Sequence, residues 1–195
     1  MATLAALSRA IEKRDPFSSG HAARVTAIVE VLALRMGWRE ERLAVLRLGA
    51  ALHDVGKLAV SEAVLCKPGP LDEAELAEVR THPEAGARLV ERIPSLRPAV
   101  PAVLHHHERW DGSGYPSGRA GNLIPAEARI LAVADSFDAM TSNRPYRLAL
   151  APQRALSEVE RGAGLQFDPD VARVFLEAWD SGALGVTAAL RAAAY

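Results

Sequence analysis

Residues 103–118 read VLHHHERWDGSGYPSG: three consecutive histidines and a glutamate, followed by a run of turn residues. The chain has six histidines in all, at His21, His53, His82, His105, His106 and His107. Each lies in or beside a stretch with metal-ligand character. His53 is followed directly by Asp54 in ALHDVGK. Adjacent helical residues differ by about 100° in direction, so the two can meet only something placed between those directions at a helix end. A metal ion, or a pair of ions with the carboxylate between them, satisfies that geometry. A further carboxylate, Asp135, sits on the apolar helix RILAVADSFDAM, where burial is costly unless a cation or donors compensate. Asp138 lies three residues on, on nearly the same face. Asp135 is the stronger candidate because it follows the more uniformly apolar run.

Each signal also has an ordinary explanation. A lone histidine on an apolar helix face is usually a satisfied core residue. A His-Asp pair at a helix end can simply be hydrogen-bonded, Asp135 can pair with one of the 23 basic residues, and consecutive histidines can be exposed. Together these explanations become strained. Four separated segments each supply imidazole or carboxylate, and helical packing can converge them. Nitrogen and oxygen ligands without thiolate suit Fe, Mn, Zn or Ni.

The elements that must position these groups read as helices. Apolar residues recur at helical spacing almost throughout, with no sustained alternation of the strand kind. One helix is predicted from about Thr3 to Arg14, stopped by Asp15-Pro16. A second starts near Ser18 or Ser19 as N-cap and runs to Gly37. A third covers about 39–54, with Leu43, Leu46, Ala50 and Leu52 inward and Gly56 as its stop. Asp72 facing Glu75 reads as a capping box opening a helix that ends near His82. Pro83 can open the next helix, and Ser95 can cap another ending in the histidine cluster. Pro125, Pro152 and Pro169 sit where a first helical turn tolerates proline. The expectation is one all-α domain over residues 1–195, with a C-terminal helix over 183–195 as an extension.

Composition narrows the class. Hydrophobic residues make up 49% and charged ones 24%, a globular balance. With 23 basic against 24 acidic residues, charge gives no reason to expect duplex nucleic acid, although a local anion site stays open. The single cysteine, Cys66, excludes an internal disulfide and a Cys-rich zinc site, and fits a reducing compartment. No apolar run approaches the roughly 20 residues needed to cross a bilayer. The N-terminus breaks into charge too soon for a secretory leader. A cytoplasmic protein with no membrane partner is expected.

HDVGK, His106-His107-Glu108, the DGSGYP of residues 111–116 and SNRPYR together resemble the HD-GYP domain, a subgroup of the HD-domain phosphohydrolases. The resemblance covers roughly residues 9–180, in order and at the family's spacing. The chain opens almost directly on the first family helix and reads as the catalytic domain without a regulatory module. The resemblance implies hydrolysis of the bacterial second messenger cyclic di-GMP to pGpG, and on to GMP, at a site holding two or three metal ions, commonly iron or manganese. It implies metal ligands at His21, His53, Asp54, His82, His106, His107 and Asp135, with Asp54 bridging. Lys57 would face the scissile phosphate, making Asp54 and Lys57 the catalytic pair. Tyr115, Arg144 and Arg147 would bind the dinucleotide. Members with three metals carry a Glu four residues before the first histidine. Phe17 stands there and cannot ligate, so two metals are expected. Asn143, where the family usually has an acidic or small residue, is a mild departure.

This chemistry needs such residues. A bound metal lowers the pKa of water from 15.7 towards ~7, and two ions about 3.5–4 Å apart can stabilise both attacking and leaving oxygens. A hydroxide bridging two ions would be placed for in-line attack on phosphorus. Lys57 adds a compact charge that either stabilises the transition state or holds phosphate in the ground state. His105 reads as a bystander or a support for a ligand. Glu108 either orients a ligand histidine or caps the loop. The DGSGYP glycines either allow close approach to a ligand or form a tight turn fixed by Asp111 and Pro116, with Tyr115 packing on helices. Without the resemblance Arg144 and Arg147 are solvated surface charges; with it they form a fork for phosphate or guanine. Trp38, Trp110 and Trp179 read as packing residues, Trp110 alone being near enough to line a pocket mouth. Cys66 has no evident role. Two other functions keep the same fold: a slow or silent cyclic dinucleotide receptor, and an HD phosphohydrolase for a hybrid cyclic dinucleotide or linear pGpG. The sequence leaves room for a homodimer and for a signalling partner protein.

Overall fold

The computed structural model describes residues 19–143 and 148–184, which are helical with no strand among them. The α-helices are α1 (His21–Arg35), α2 (Glu40–Leu52), α3 (Glu62–Leu65), α4 (Glu73–Val79), α5 (His82–Glu91), α6 (Val100–His105), α7 (Ala126–Thr141), α8 (Pro152–Gly162) and α9 (Pro169–Asp180). Short 3₁₀ turns at Val55–Ala59, Pro94–Ala99 and Gly121–Leu123 join them. The all-α expectation is met, and no helix among the described residues is long and apolar enough to cross a membrane.

Two apolar clusters carry the packing. In the larger, Val25, Ile28, Val29 and Leu32 form the i, i+3, i+4, i+7 stripe of α1, fully buried against α2, α7 and α9. Phe137 of α7 lies 4.9 Å from the Phe175 ring and 5.4 Å from Trp179. Burying such a side chain contributes roughly 1.5–3 kcal/mol, and it fixes the rotation of α7 so that Asp135 and Asp138 turn towards α1. The smaller cluster, Leu52, Val55, Val90, Ala99 and Val103, gathers the end of α2, the 3₁₀ turn after it, α5 and α6. Helix ends, rather than helix faces, therefore meet beside the larger core.

Several boundaries differ from the sequence reading. The N-cap of α1 is Gly20, without a side-chain cap, and Arg24 donates to the Ser19 carbonyl instead (2.9 Å). The capping box at Asp72 and Glu75 is present, but α4 stops at Val79, and His82 opens α5 rather than closing α4. Ser95 lies inside a 3₁₀ turn, with α6 starting only at Val100. Pro152 and Pro169 open their helices, while Pro125 precedes α7 as its N-cap. Gly56 does not stop α2. A Cβ there would lie 1.8 Å from the His82 carbonyl oxygen, so glycine is needed for backbone to pack on backbone where the 3₁₀ turn meets α5. The helix predicted over Thr3–Arg14, and Phe17, fall outside the described residues. Of the predicted 183–195 helix, residues 183–184 are irregular and the rest lies outside them.

Candidate metal centre

The histidines and carboxylates occupy helix ends, with one exception. His21 is the first residue of α1, His53 the C-cap of α2 with Asp54 next, His82 the first residue of α5, and His106 the C-cap of α6 with His107 next. Asp135 comes from within α7. The structure brings these groups into one cluster. His21 Nε2 lies 3.2 Å from His53 Nε2 and 3.2 Å from Asp135 Oδ1. His82 Nε2 lies 3.2 Å from His106 Nε2. Asp54 stands between the two sets, with Oδ1 3.4 Å from His82 Nε2 and Oδ2 3.5 Å from His53 Nε2. Two groups could each hold a metal ion: His21, His53 and Asp54, and His82, His106 and His107.

The tautomers make the case for a cation. Nδ1 of His53 contacts the Ala50 carbonyl (2.7 Å), Nδ1 of His82 the Val79 carbonyl (2.7 Å) and Nδ1 of His106 the Val103 carbonyl (2.8 Å). A carbonyl only accepts, so each Nδ1 carries the hydrogen, and the neutral rings of His82 and His106 present bare Nε2 lone pairs to the centre. His82 and His106 thus face each other at 3.2 Å with no proton between them. Such an arrangement fits a ligand set and is unfavourable as a hydrogen bond.

Burial lowers the pKa of His82, takes His107 down to about 4, and with help from His107 and His53 holds His106 well below the usual imidazole range. His21 is different: burial pushes it down, but hydrogen bonds to Asp135 and Asp138 outweigh this and raise it to about 10. Burial alone would raise Asp54 and Asp135. Lys57 and protonated His21 hold Asp54 well below the carboxylate range, and the hydrogen bond and charge of His21 hold Asp135 there. Neutral imidazoles and ionised carboxylates are the protonation states metal binding requires.

A family model described as HD domain matches residues 5–171. The chain belongs to the HD domain family. It is 43% identical over 169 residues to the cyclic di-GMP phosphodiesterase response regulator RpfG of Xanthomonas campestris, covering 86% of this chain and 45% of that protein. It is 39% identical over 168 residues to a cyclic di-GMP phosphodiesterase of Thermotoga maritima, covering 85% and 46%. It is 35% identical over 165 residues to 3'3'-cGAMP-specific phosphodiesterase 3 of Vibrio cholerae, covering 85% and 36%. The chain thus spans under half the length of these relatives. In fold it is similar to the Vibrio cholerae cyclic GMP-AMP phosphodiesterase V-cGAP3, with a TM-score of 0.73 at 18% identity over 93% of this chain and 49% of that one. It is also similar to the PgpH HD domain of L. monocytogenes in complex with cyclic-di-AMP, with a TM-score of 0.61 at 15% identity over 92% and 96%.

Within this HD domain the other expected residues separate clearly. Lys57 is at the centre, its Nζ 2.8 Å from Asp54 Oδ2. Tyr115 stacks on His107, ring centroids 4.9 Å apart at 27°. Arg144 and Arg147 lie outside the described residues. Glu108 caps the loop: it accepts from the backbone N–H groups of Ser117 (2.8 Å) and Arg119 (3.1 Å), and its nearest histidine is the bystander His105 (3.4 Å). The loop follows the tight-turn reading. Asp111 fixes the turn by accepting from the Ser113 N–H (2.9 Å), while Tyr115 reaches the cluster. Gly114 serves close approach, though to backbone rather than to a ligand, since a Cβ there would lie 2.3 Å from the Arg109 nitrogen. Trp110 packs at the loop base, with its backbone N–H on the Gln166 carbonyl and Arg129 near its ring.

Arg24, which the sequence reading missed, and Asp138, which it ranked second to Asp135, act together on His21. His21 Nδ1 donates to Asp138 Oδ2 (2.7 Å), and Arg24 donates to both oxygens of that carboxylate (2.6 and 3.0 Å). Asp135 and Asp138 thus address opposite nitrogens of one imidazole. The signals were there: both pairs, His21 with Arg24 and Asp135 with Asp138, are three apart on one helix.

Asp138→Asn is expected to weaken metal uptake about 10–100-fold, because a carboxylate partner orients a ligating histidine and raises its basicity; metal titration monitored by competition with a chelating dye checks it. Metal uptake at the His21 group is expected to expel about one proton near pH 7.5 and to strengthen as pH rises towards about 10, because His21 is protonated below that value and must be neutral to ligate. The group built on His82, His106 and His107, with pKa values already lowered, should release almost none. Calorimetry in buffers of different ionisation enthalpy reads both.

Proposed function

We propose that this HD domain is a metal-dependent phosphodiesterase that opens cyclic di-GMP to linear pGpG and can go on to GMP. The observation that carries the reading is the position of Asp54, whose two oxygens address two separate histidine groups. In this reading His21, His53, Asp54 and Asp135 would hold one ion and Asp54, His82, His106 and His107 a second, iron or manganese suiting the N/O donor set. The ions, when bound, lower the pKa of water towards ~7 and neutralise charge on phosphoryl oxygens. The names of the relatives support a cyclic dinucleotide as the substrate. The lone cysteine suits the reducing cytoplasm.

The protein's own groups do the rest. Lys57 is held beside Asp54 and places a compact positive charge where phosphate oxygens gather charge. Asp138 and Arg24 keep the His21 ring turned so that its Nε2 faces Asp135 and His53. Tyr115, raised to about 12 by burial, keeps its phenolic proton and offers a donor beside the cluster. Arg144 and Arg147 would hold the substrate's phosphates or guanines.

Anaerobic incubation with Fe(II) or Mn(II) and either cyclic di-GMP or 3'3'-cGAMP, with products separated chromatographically, tests the proposal. Metal-dependent pGpG or GMP is expected, abolished by Asp54→Ala, with Lys57→Ala lowering kcat/KM about 10²-fold. Metal-loaded protein that binds the cyclic dinucleotide without cleaving it would overturn the enzyme reading in favour of a receptor.

A further inference from the structure

Arg80 closes α4 two residues before His82, its backbone N–H on the Leu76 carbonyl (2.9 Å), so the start of its side chain is fixed by a helix end. Its guanidinium lies over the Tyr115 ring, 5.5 Å from the centroid, and Tyr115 in turn stacks on His107. Arg80 is therefore one aromatic ring away from the candidate metal centre. Among the described residues, three neighbouring cations have carboxylate partners: Lys57 pairs with Asp54, Arg24 with Asp138 and Arg109 with Asp111. Arg80 is exposed, and among the described residues its side chain has no carboxylate and no hydrogen-bond acceptor. A cation–π contact engages the guanidinium through its flat face and leaves the N–H donors at its edge unused. Those donors form a planar fork suited to two phosphate oxygens.

We propose that Arg80 is a further substrate-binding residue, taking the phosphate of the cyclic dinucleotide that is not being cleaved, with Tyr115 as the platform between that phosphate and the metal centre. This rests on the cyclic dinucleotide reading above. A ring with two phosphates presents only one to the metals at a time. The other needs its own counter-charge, and Arg80, which has no carboxylate partner among the described residues, lies beside the loop tyrosine and can supply it together with Arg144 or Arg147. The contact is made equally in ground and transition states, so it acts on KM rather than kcat.

Steady-state kinetics of the metal-loaded chain on cyclic di-GMP and on bis(p-nitrophenyl) phosphate, which has a single phosphate, test the assignment with Arg80→Ala and Arg80→Lys. For cyclic di-GMP the alanine variant is expected to raise KM about tenfold with kcat within about twofold, and the lysine variant to fall between it and the unsubstituted protein. Hydrolysis of the single-phosphate ester should be unchanged by either. Equal losses on both substrates would overturn the assignment, because Arg80 would then act through Tyr115 or the metals, and so would no change on either. An unsubstituted chain that cleaves the nitrophenyl ester but neither binds nor cleaves cyclic di-GMP would instead sink the function reading, and this inference with it.

Discussion

The contact between a histidine Nδ1–H and the carbonyl three residues earlier is the constraint on which the centre depends. His53, His82 and His106 all make it, at 2.7–2.8 Å. Each bond satisfies a carbonyl that the end of a helix leaves without a partner. It also fixes the ring's tautomer and leaves a bare nitrogen pointing away from the helix. The same hydrogen bond therefore finishes a helix and prepares a donor atom. Helix ends converge here because the smaller apolar cluster and the close backbone contact at Gly56 draw α2, α5 and α6 together.

Charge is balanced in a way that anticipates a cation. Asp54, Asp135 and Asp138 are offset by Lys57, protonated His21 and Arg24, all within hydrogen-bonding reach of one another's partners. Taking charged groups out of water is costly unless each is paired and hydrogen-bonded. The proton on His21 supplies the pairing for Asp135 that a metal ion would otherwise supply. On the other side of Asp54, the lone pairs of His82 and His106 have no such proton, which makes that group the more demanding of a metal.

Much of this was legible in the sequence. The cluster of His21, His53, Asp54, His82, His106, His107 and Asp135 came from residue types and family motifs, and the structure brings all seven together. The helical reading held because the stripe through Val25, Ile28, Val29 and Leu32 has an unambiguous period. What escaped was anything set by tertiary contact. Asp138 ranked below Asp135 because pattern alone cannot say that one carboxylate meets Nε2 and the other Nδ1 of the same ring. Gly56 looked like a helix stop because its real reason, the carbonyl of His82, lies 26 positions away. The role of Glu108 stayed open until the N–H groups of Ser117 and Arg119 were seen turned onto it. Arg80 left no trace in motif or period, because its place follows from where α4 ends and where the Tyr115 ring lies.

Low-temperature EPR of the Mn(II)-loaded protein tests most directly the proposal that Asp54 would be shared between two metal ions. The account predicts an exchange-coupled Mn(II) pair in the unsubstituted chain and loss of that coupling in Asp54→Ala. Isolated, uncoupled Mn(II) signals in the fully loaded unsubstituted chain, or a coupled pair that survives the substitution, would contradict it.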